Sequence, residues 1–437
     1  MSEQIKKLYA HFLRNPIVST DTRNLFPGSI FFALKGGNFN GNEFAEKAIE
    51  SECSIAVIDE KKYQKNESYF LVDDVLKTLQ ELANYHRKQL TIPIIAITGT
   101  NGKTTSKELI NAVLSQKFKT VATKGNLNNH IGVPLTLLSI DKSHEIAIIE
   151  MGANHQNEIE ALCKIAEPDF GMITNIGKAH LEGFGGYEGV VKTKNELYQF
   201  IQQKNGILFV NDDNDLLKKL SESIKKIIFG SAKKADIIGL FIESNPFVKL
   251  KYKTKNETIS INEKEIISTQ LIGKYNFENI LAAACIGNYF GVPEKNIRAG
   301  LENYVPSMNR SQAMQTKKNF LLLDAYNANP SSMSAAIENF AAMPSKNKIL
   351  ILGDMLELGD DTAKEHDAIL DLIHQKKFEK LFFVGTYFSA SAKKGNAKTF
   401  RNTEEAKEWI LSHPIENASI LIKGSRGIQL EKLVEFL

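Results

Sequence analysis

The chain has 437 residues, with 54 Lys+Arg against 51 Asp+Glu and a net charge of +3. The basic residues are scattered, and their largest clusters are short surface runs such as Lys249-Leu250-Lys251-Tyr252-Lys253, which argues against a nucleic-acid footprint. No apolar run reaches the roughly 18 residues of a membrane span and Met1 to Arg14 lacks a signal-like stretch, so a cytoplasmic protein without membrane insertion is expected.

The length suggests about three domains. We read them as 1–90, 91–304 and 305–437. Cys53, Cys163 and Cys285 lie far apart without metal-ligand spacing, and are expected as reduced, buried side chains. In the first unit, Thr20-Asp21-Thr22-Arg23 precedes Gly28-Ser29-Ile30-Phe31-Phe32-Ala33-Leu34-Lys35-Gly36, read as one strand bounded by turns. A helix is expected around Phe44 to Ile49, a strand at Ile55 to Ile58, and a second helix through Val75, Leu79, Leu82 and Ala83. By chemistry alone, Asp21, Arg23 and Lys35 read as solvated surface groups, the default for their types.

The middle unit opens on Ile94-Ile95-Ala96-Ile97-Thr98, an apolar β-branched run. Gly99-Thr100-Asn101-Gly102-Lys103-Thr104-Thr105 follows at once, and apolar residues at 109, 110, 113 and 114 then mark one helix face. A strand, a glycine-bracketed turn and a helix N-terminus make a phosphate cradle. The glycines admit close approach of an anion, the free first-turn N–H groups point at it, and the helix dipole adds attraction. Lys103 would supply a mobile positive charge to the phosphates, and the Thr104 hydroxyl would bind Mg²⁺. Strict Walker spacing wants a glycine where Ile97 stands, so an ordinary strand–helix turn with an incidental Gly-Lys-Thr is the alternative.

Further strands are expected at Glu145–Glu150, Phe170–Asn175, Ile207–Asn211 and Ile227–Phe229, mostly separated by helices. This predicts an α/β fold with a largely parallel sheet, whose ligands bind beyond the strand C-termini. Gly99, Glu150 and Asn175 sit at such ends. Glu150 could bind the Mg²⁺ that bridges nucleotide phosphates, with His180 joining it. Residues 235 to 270 read as a peripheral antiparallel patch without visible chemistry. Asn276 and Asn279 open a helix, where they would either cap it or bind a base.

The last unit begins near Tyr304–Pro306 and alternates again, with strands at Phe320–Leu323, Ile349–Leu352, Leu381–Val384 and Ile420–Ile422. Asn329-Pro330 is a helix start, and Met333, Ala336, Ile337 and Phe340 form its apolar face. The turns Asp324–Asn329, Gly353-Asp354 and Lys423-Gly424-Ser425-Arg426 are polar strand ends, a second candidate site facing the first.

Taken together these motifs resemble the Mur ligases, the ATP-dependent amide-forming enzymes of peptidoglycan precursor synthesis. The relaxed phosphate loop is similar to theirs. Gly125-Asn126-Leu127-Asn128-Asn129-His130, Asp324-Ala325-Tyr326-Asn327-Ala328-Asn329-Pro330, Gly353-Asp354-Met355-Leu356-Glu357 and Lys423-Gly424-Ser425-Arg426 resemble the branch that adds the terminal dipeptide. The resemblance is collinear over nearly the whole chain. It implies three domains, a small α/β domain for a uridine nucleotide, a central P-loop ATP domain and a Rossmann-like α/β domain that closes over it. It implies ATP and Mg²⁺ as cofactors, and UDP-N-acetylmuramoyl-tripeptide and D-alanyl-D-alanine as substrates. A monomer is expected.

Residue by residue, the resemblance assigns Gly99 through Thr105, Asn276, Asn279, Arg310 and Asp324 to ATP. It assigns Thr104, Glu150, His180 and, if carbamylated, Lys194 to Mg²⁺, and makes Lys103, Glu150, His180 and Lys194 the catalytic set. Thr20, Asp21, Thr22, Arg23 and Lys35 match the uridine-nucleotide motif. Asn126, Asn128, Asn129, Tyr326, Asn327, Asn329, Lys423, Ser425 and Arg426 are expected at the other substrate groups. Tyr275 stands where the family usually has histidine. The rival readings are a related ligase with another amino acid, a folate polyglutamate ligase, a P-loop kinase or NTPase, and a non-catalytic nucleotide binder. Site residues in both halves of the chain lead us to expect domain closure.

Overall fold

The computed structural model describes residues 2–255, 266–306, 310–392 and 397–437. Among the described residues three large sheets follow one another along the chain, with a two-stranded hairpin beside the first. The first is wholly parallel and made of Val18–Ser19 (β1), Ile30–Phe32 (β2), Ile55–Ile58 (β3) and Tyr69–Leu71 (β4), in that spatial order. The single strand expected from Gly28 to Gly36 is instead β2 followed by a separate short hairpin, Lys35–Gly36 with Phe39–Asn40. The hairpin folds back so that the Gly41 N–H donates to the Leu34 carbonyl at 2.9 Å, and an added Cβ at Gly41 would lie 2.3 Å from that oxygen. The helix Val75–Arg87 (α1) then buries Leu79, Leu82 and Ala83 in one core with Val133, Leu137 and Leu162, seating the first unit on the second.

The second sheet has nine strands. They are Ile94–Thr98 (β5), Thr120–Ala122 (β6), Ile146–Glu150 (β7), Phe170–Ile173 (β8), Ile207–Asn211 (β9), Lys226–Gly230 (β10), Ile237–Ser244 (β11), Phe247–Thr254 (β12) and Ile267–Ile272 (β13). Their spatial order is β13-β12-β11-β10-β9-β8-β5-β7-β6. All neighbours are parallel except β11-β12 and β12-β13, the antiparallel edge expected from composition. Residues 256–265 of that patch lie outside the described residues. The surface character expected for the run from Lys249 to Lys253 holds only in part. Lys251 is buried next to the buried Leu250, and Lys249 pairs with Glu243 at 2.7 Å, because β12 lies inside the sheet between β11 and β13.

β5 is fully buried and flanked by β7 and β8, with Ile97 opposite Glu150 and Thr98 opposite Ile173. Three strand ends therefore converge where the order of the sheet reverses, the position at which open α/β sheets bind ligands. Lys103–Leu114 (α2), Tyr187–Gln203 (α3) and Asn276–Tyr289 (α4) are helices of this unit. Leu109, Ile110, Val113 and Leu114 pack with Ile280, Leu281 and Ala284, which locks α2 and α4 side by side.

The third sheet orders Gln312–Gln315 (β14), Phe320–Asp324 (β15), Lys348–Gly353 (β16), Lys380–Val384 (β17), Lys398–Phe400 (β18) and Ser419–Lys423 (β19) as β14-β15-β19-β16-β17-β18, with only β14 antiparallel. Pro330–Ala342 (α5) starts on a full capping box. The Asn329 side chain accepts from the Ser332 N–H at 2.9 Å, and the Asn329 N–H donates to the Ser332 hydroxyl at 3.1 Å. Leu181, Phe184, Val190 and Ile272 of the middle unit share one core with Met333, Met355 and Leu358 of the last, so these two units are packed together. Among the described residues no helix is long and apolar enough to cross a membrane. All three cysteines are free and buried.

Candidate active site

Two glycines shape the loop after β5. Gly99 has φ +144°, and a Cβ there would meet the Thr174 hydroxyl at 2.0 Å. Gly102 has φ +77°, stands at the N-cap of α2, and would press an added Cβ to 2.8 Å from Asn279 Oδ1. Left-handed backbone and absent side chains let the loop lie flat on its neighbours, with the Thr100 N–H donating to the Asn175 carbonyl at 2.9 Å. Between them, the Thr100 hydroxyl accepts from the Gly177 N–H at 2.9 Å, and Asn101 N–H donates to Asn175 Oδ1 at 3.0 Å. Lys103 Nζ donates to the Gly99 and Thr100 carbonyls at 2.7 and 3.0 Å, and burial brings its pKa down to about 8.

This loop lines a cavity of about 1060 Å³. Thr100 through Thr105, Asn126, Asn128, Asn129, Glu150 and His180 line it from the middle unit, with Asn276 and Asn279. Arg310, Asp324, Tyr326, Asn327, Asn329 and Lys423 line it from the last unit. The two strand-end sites thus form one cavity. Asp324 accepts from Lys423 Nζ at 2.6 Å and from the Ser311 N–H at 3.1 Å. Arg310 lies over the Tyr326 ring at 3.6 Å from its centroid, and Arg426 lies 5.5 Å from the same centroid.

Glu150 closes β7 and is 1% exposed. Asn128 Nδ2 donates to its Oε1 at 2.7 Å, and the Thr123 hydroxyl accepts from its N–H at 2.9 Å. Its Oε2 is buried with no hydrogen-bond partner in the protein. An orphaned carboxylate oxygen on Glu150 and the buried Thr104, both lining the one cavity, are a donor set that suits a hard divalent cation. Among the described residues no group of three His, Cys, Asp or Glu side chains gathers as a metal cage. His180 has φ +50° and contacts the Glu357 carboxylate of the last unit, and burial keeps its pKa below the ordinary value.

Lys194 on α3 does not line the cavity. It is 3% exposed, its amine lies 5.3 Å from the Phe184 ring centroid, and burial together with the Lys103 charge lowers its pKa to about 7. Gly99 supports the loop from behind. Ser425 spends its hydroxyl inside the last unit, accepting from the Leu356 N–H at 3.0 Å and donating to the Ala328 carbonyl at 3.3 Å. Thr20 through Arg23 and Lys35 stay outside the cavity. Arg23 grips Asp21 in a bidentate pair at 2.7–3.1 Å, and Lys35 pairs with Asp59 and Glu60 at 2.8 and 3.1 Å.

Neither asparagine of α4 caps it. The N-cap is Tyr275 without a side-chain bond, while Asn276 donates to the Ile272 carbonyl at 2.8 Å and Asn279 to Asn276 Oδ1 at 2.8 Å. Capping fails because both residues lie inside the helix, where their amides bridge to β13 and each other. Tyr275 reaches across to the last unit, its hydroxyl 2.9 Å from that of Ser311.

Sequence reasoning passed over Thr123 and Lys107. Lys107 is fully buried, and its amine donates to the Thr123 carbonyl at 2.5 Å and pairs with Glu108 at 2.6 Å. Lys107 sits three and seven residues before Ile110 and Leu114, on the apolar face of α2, and that spacing was the available signal.

Known proteins share this arrangement. The description "Mur ligase middle domain" matches residues 97–287, and "Mur ligase, glutamate ligase domain" matches residues 309–426. The UDP-N-acetylmuramoyl-tripeptide–D-alanyl-D-alanine ligase of Bacillus subtilis is 34% identical over 434 residues, spanning 96% of this chain and 92% of its own length. The Escherichia coli ligase of the same name is 34% identical over 428 residues, with 96% and 93% covered. The crystal structure of MurF from Acinetobacter baumannii superposes with a TM-score of 0.85 at 31% identity, covering 96% of this chain and 92% of that one. A nucleotide-type loop confronted by a second α/β sheet, matched end to end by such relatives, settles the lineage: this chain belongs to the Mur ligase family.

Proposed function

We propose that the chain joins D-alanyl-D-alanine to UDP-N-acetylmuramoyl-tripeptide at the expense of ATP, giving the UDP-N-acetylmuramoyl-pentapeptide, ADP and phosphate. The observation that carries this is the meeting of the Gly99–Thr105 loop with the Tyr326–Pro330 turn in one cavity, in a chain whose full-length relatives bear that name. The three units take the roles of uridine-nucleotide binding (1–90), ATP binding (91–304) and closure over the reacting groups (305–437). The substrates are water-soluble and the described residues hold no membrane-crossing helix, which supports a cytoplasmic enzyme.

A carboxylate does not condense with an amine in water, because its oxygen is a poor leaving group. Attack of the tripeptide carboxylate on the γ-phosphorus breaks the bond to ADP and yields an acyl phosphate. The dipeptide amine, as free base, then adds to the acyl carbon and phosphate departs. The protein must hold the reactants in line and offset charge on the phosphoryl oxygens. Lys103 supplies a cation from the loop and Arg310 a second from the last unit, and the first-turn N–H groups of α2 would cradle the phosphates. Thr104, Glu150 and His180 would hold Mg²⁺, which when bound neutralises phosphate charge. Lys194, with its pKa near 7, has a neutral amine available to take up CO₂ and become a carboxylate-like ligand. Asn276, Asn279 and Asp324 face the nucleotide, and Asn126, Asn129 and Lys423 the peptide substrate.

Phosphate release from ATP and Mg²⁺ tests the reading. Release that needs both UDP-N-acetylmuramoyl-tripeptide and D-alanyl-D-alanine, with pentapeptide nucleotide formed in step, is expected. Release indifferent to either substrate would replace the ligase by an NTPase.

A further inference from the structure

Asn101 at the tip of the phosphate loop and Asn329 at the start of α5 lie 228 residues apart in the chain, and their side chains meet. Asn329 Nδ2 donates to Asn101 Oδ1 at 2.8 Å, while the return contact is a longer 3.5 Å. The backbones on both sides are held rigidly. The Asn101 N–H is taken by Asn175 Oδ1, and its carbonyl accepts from Asn175 Nδ2 at 3.0 Å and from the Thr174 hydroxyl at 2.7 Å. The Asn329 oxygen caps α5 through Ser332. Next to this pair, the Ser331 hydroxyl accepts from the Lys178 N–H at 3.1 Å, and Gly177 approaches Ser331 so closely that a Cβ would lie 2.7 Å from its oxygen.

The residue type matters here. Ser, Thr and Asp cap a helix about as well as Asn. Only Asn can accept at the cap and still offer N–H donors to a second partner. We propose that Asn329 is a positioning residue that, through Asn101, holds the phosphate loop in its nucleotide-binding form whenever the last unit is docked. The proposal rests on the nucleotide-binding reading above and adds a direction to it. Docking of α5 and binding at the loop favour one another, as linkage requires of any two events joined by one contact.

The test uses the full chain and ADP with Mg²⁺ as the probe, which needs neither peptide substrate. Asn329→Ser keeps a helix cap but cannot reach Asn101, and Asn101→Ala removes the other half. Each is expected to weaken ADP binding about fivefold, the worth of roughly one hydrogen bond. The double variant should bind no more weakly than the worse single, since both remove the same contact. The thermal midpoint of Asn329→Ser should fall no further than that of Asn101→Ala, because the cap survives and only the shared hydrogen bond is lost. Additive losses would mean that Asn101 acts on the nucleotide directly, and would overturn the proposal, as would wild-type affinity in both singles. A wild type that binds no ADP would sink both readings. A wild type that binds ADP and couples these residues, yet makes no pentapeptide, sinks the ligase reading alone.

Discussion

Asn128 holds Glu150 by its reactive end. The amide donates to Oε1 at 2.7 Å, while the Asn128 carbonyl accepts from the Gly152 N–H at 2.8 Å, so two hydrogen bonds tie the loop to the strand end. With one oxygen so engaged, the other is left facing the cavity with no partner of its own. Asn128→Ala should therefore free the carboxylate to rotate and weaken divalent-cation binding about tenfold, the usual scale for losing an outer-shell partner. Mn²⁺ titration followed by electron paramagnetic resonance, with ADP present, reads this directly. Unchanged affinity would show that Glu150 is held by β7 alone.

The loop tolerates little at its first residue. At Gly99 both the φ of +144° and the Thr174 hydroxyl, 2.0 Å from an added Cβ, oppose substitution. Gly185 has a φ of +72° but nothing within 4 Å of its Cβ position. Alanine at Gly185 should cost about 1 kcal/mol from backbone strain alone. Alanine at Gly99 should cost more than that and abolish ADP binding, because the loop must shift off Thr174. Chemical denaturation and calorimetric binding of both variants make the comparison, and equal behaviour would deny the loop its packing.

Much of this was legible in the chain because the central elements are strongly patterned. β5, β7, β8, β9 and β15 are apolar runs ended by Gly, Asn, Asp or Glu, and they are interior strands buried by neighbours on both sides. β1, β4, β6, β14 and β18 went unseen, and each is an edge strand of two to four residues. An edge has one neighbour to satisfy, so its sequence carries a weaker apolar signature. The site divides in the same way. Loop glycines, Lys103, Glu150 and the Tyr326–Asn329 turn announce themselves by spacing, whereas Lys107, Thr123 and the Asn101–Asn329 contact exist only because distant segments pack together. A fully buried lysine contradicts the default for its type, and only its carbonyl and carboxylate partners make it affordable.

Lys103 is bound to the carbonyls of its own loop, within reach of whatever the loop holds. Replacing it by alanine removes a charge from the transferring phosphoryl group, and turnover should fall roughly 10³-fold, about 4 kcal/mol of barrier. Steady-state phosphate release measures it. A variant within tenfold of wild type would mean that Arg310 and the metal carry the charge without it.

A carbamylated Lys194 predicts a pH dependence of the reaction whose sign can be stated. Burial and the Lys103 charge lower its pKa from the ordinary lysine range to about 7, so the ammonium dominates below that pH and the free amine above it. Only the free amine has the lone pair that attacks CO₂; as the N–C bond forms the nitrogen gives up a proton to solvent, and the neutral amine becomes a carbamate anion near the Lys103 charge. Carbamate should therefore appear as pH rises through about 7, and turnover at limiting bicarbonate should rise with it. A ¹³C resonance from labelled bicarbonate, present at pH 8, lost at pH 6 and absent in Lys194→Ala, is the expected result. An enzyme fully active at pH 8 without that resonance would show that Lys194 works as an unmodified amine, its pKa lowered by burial and the loop lysine against the opposing pull of Glu196 and Glu158.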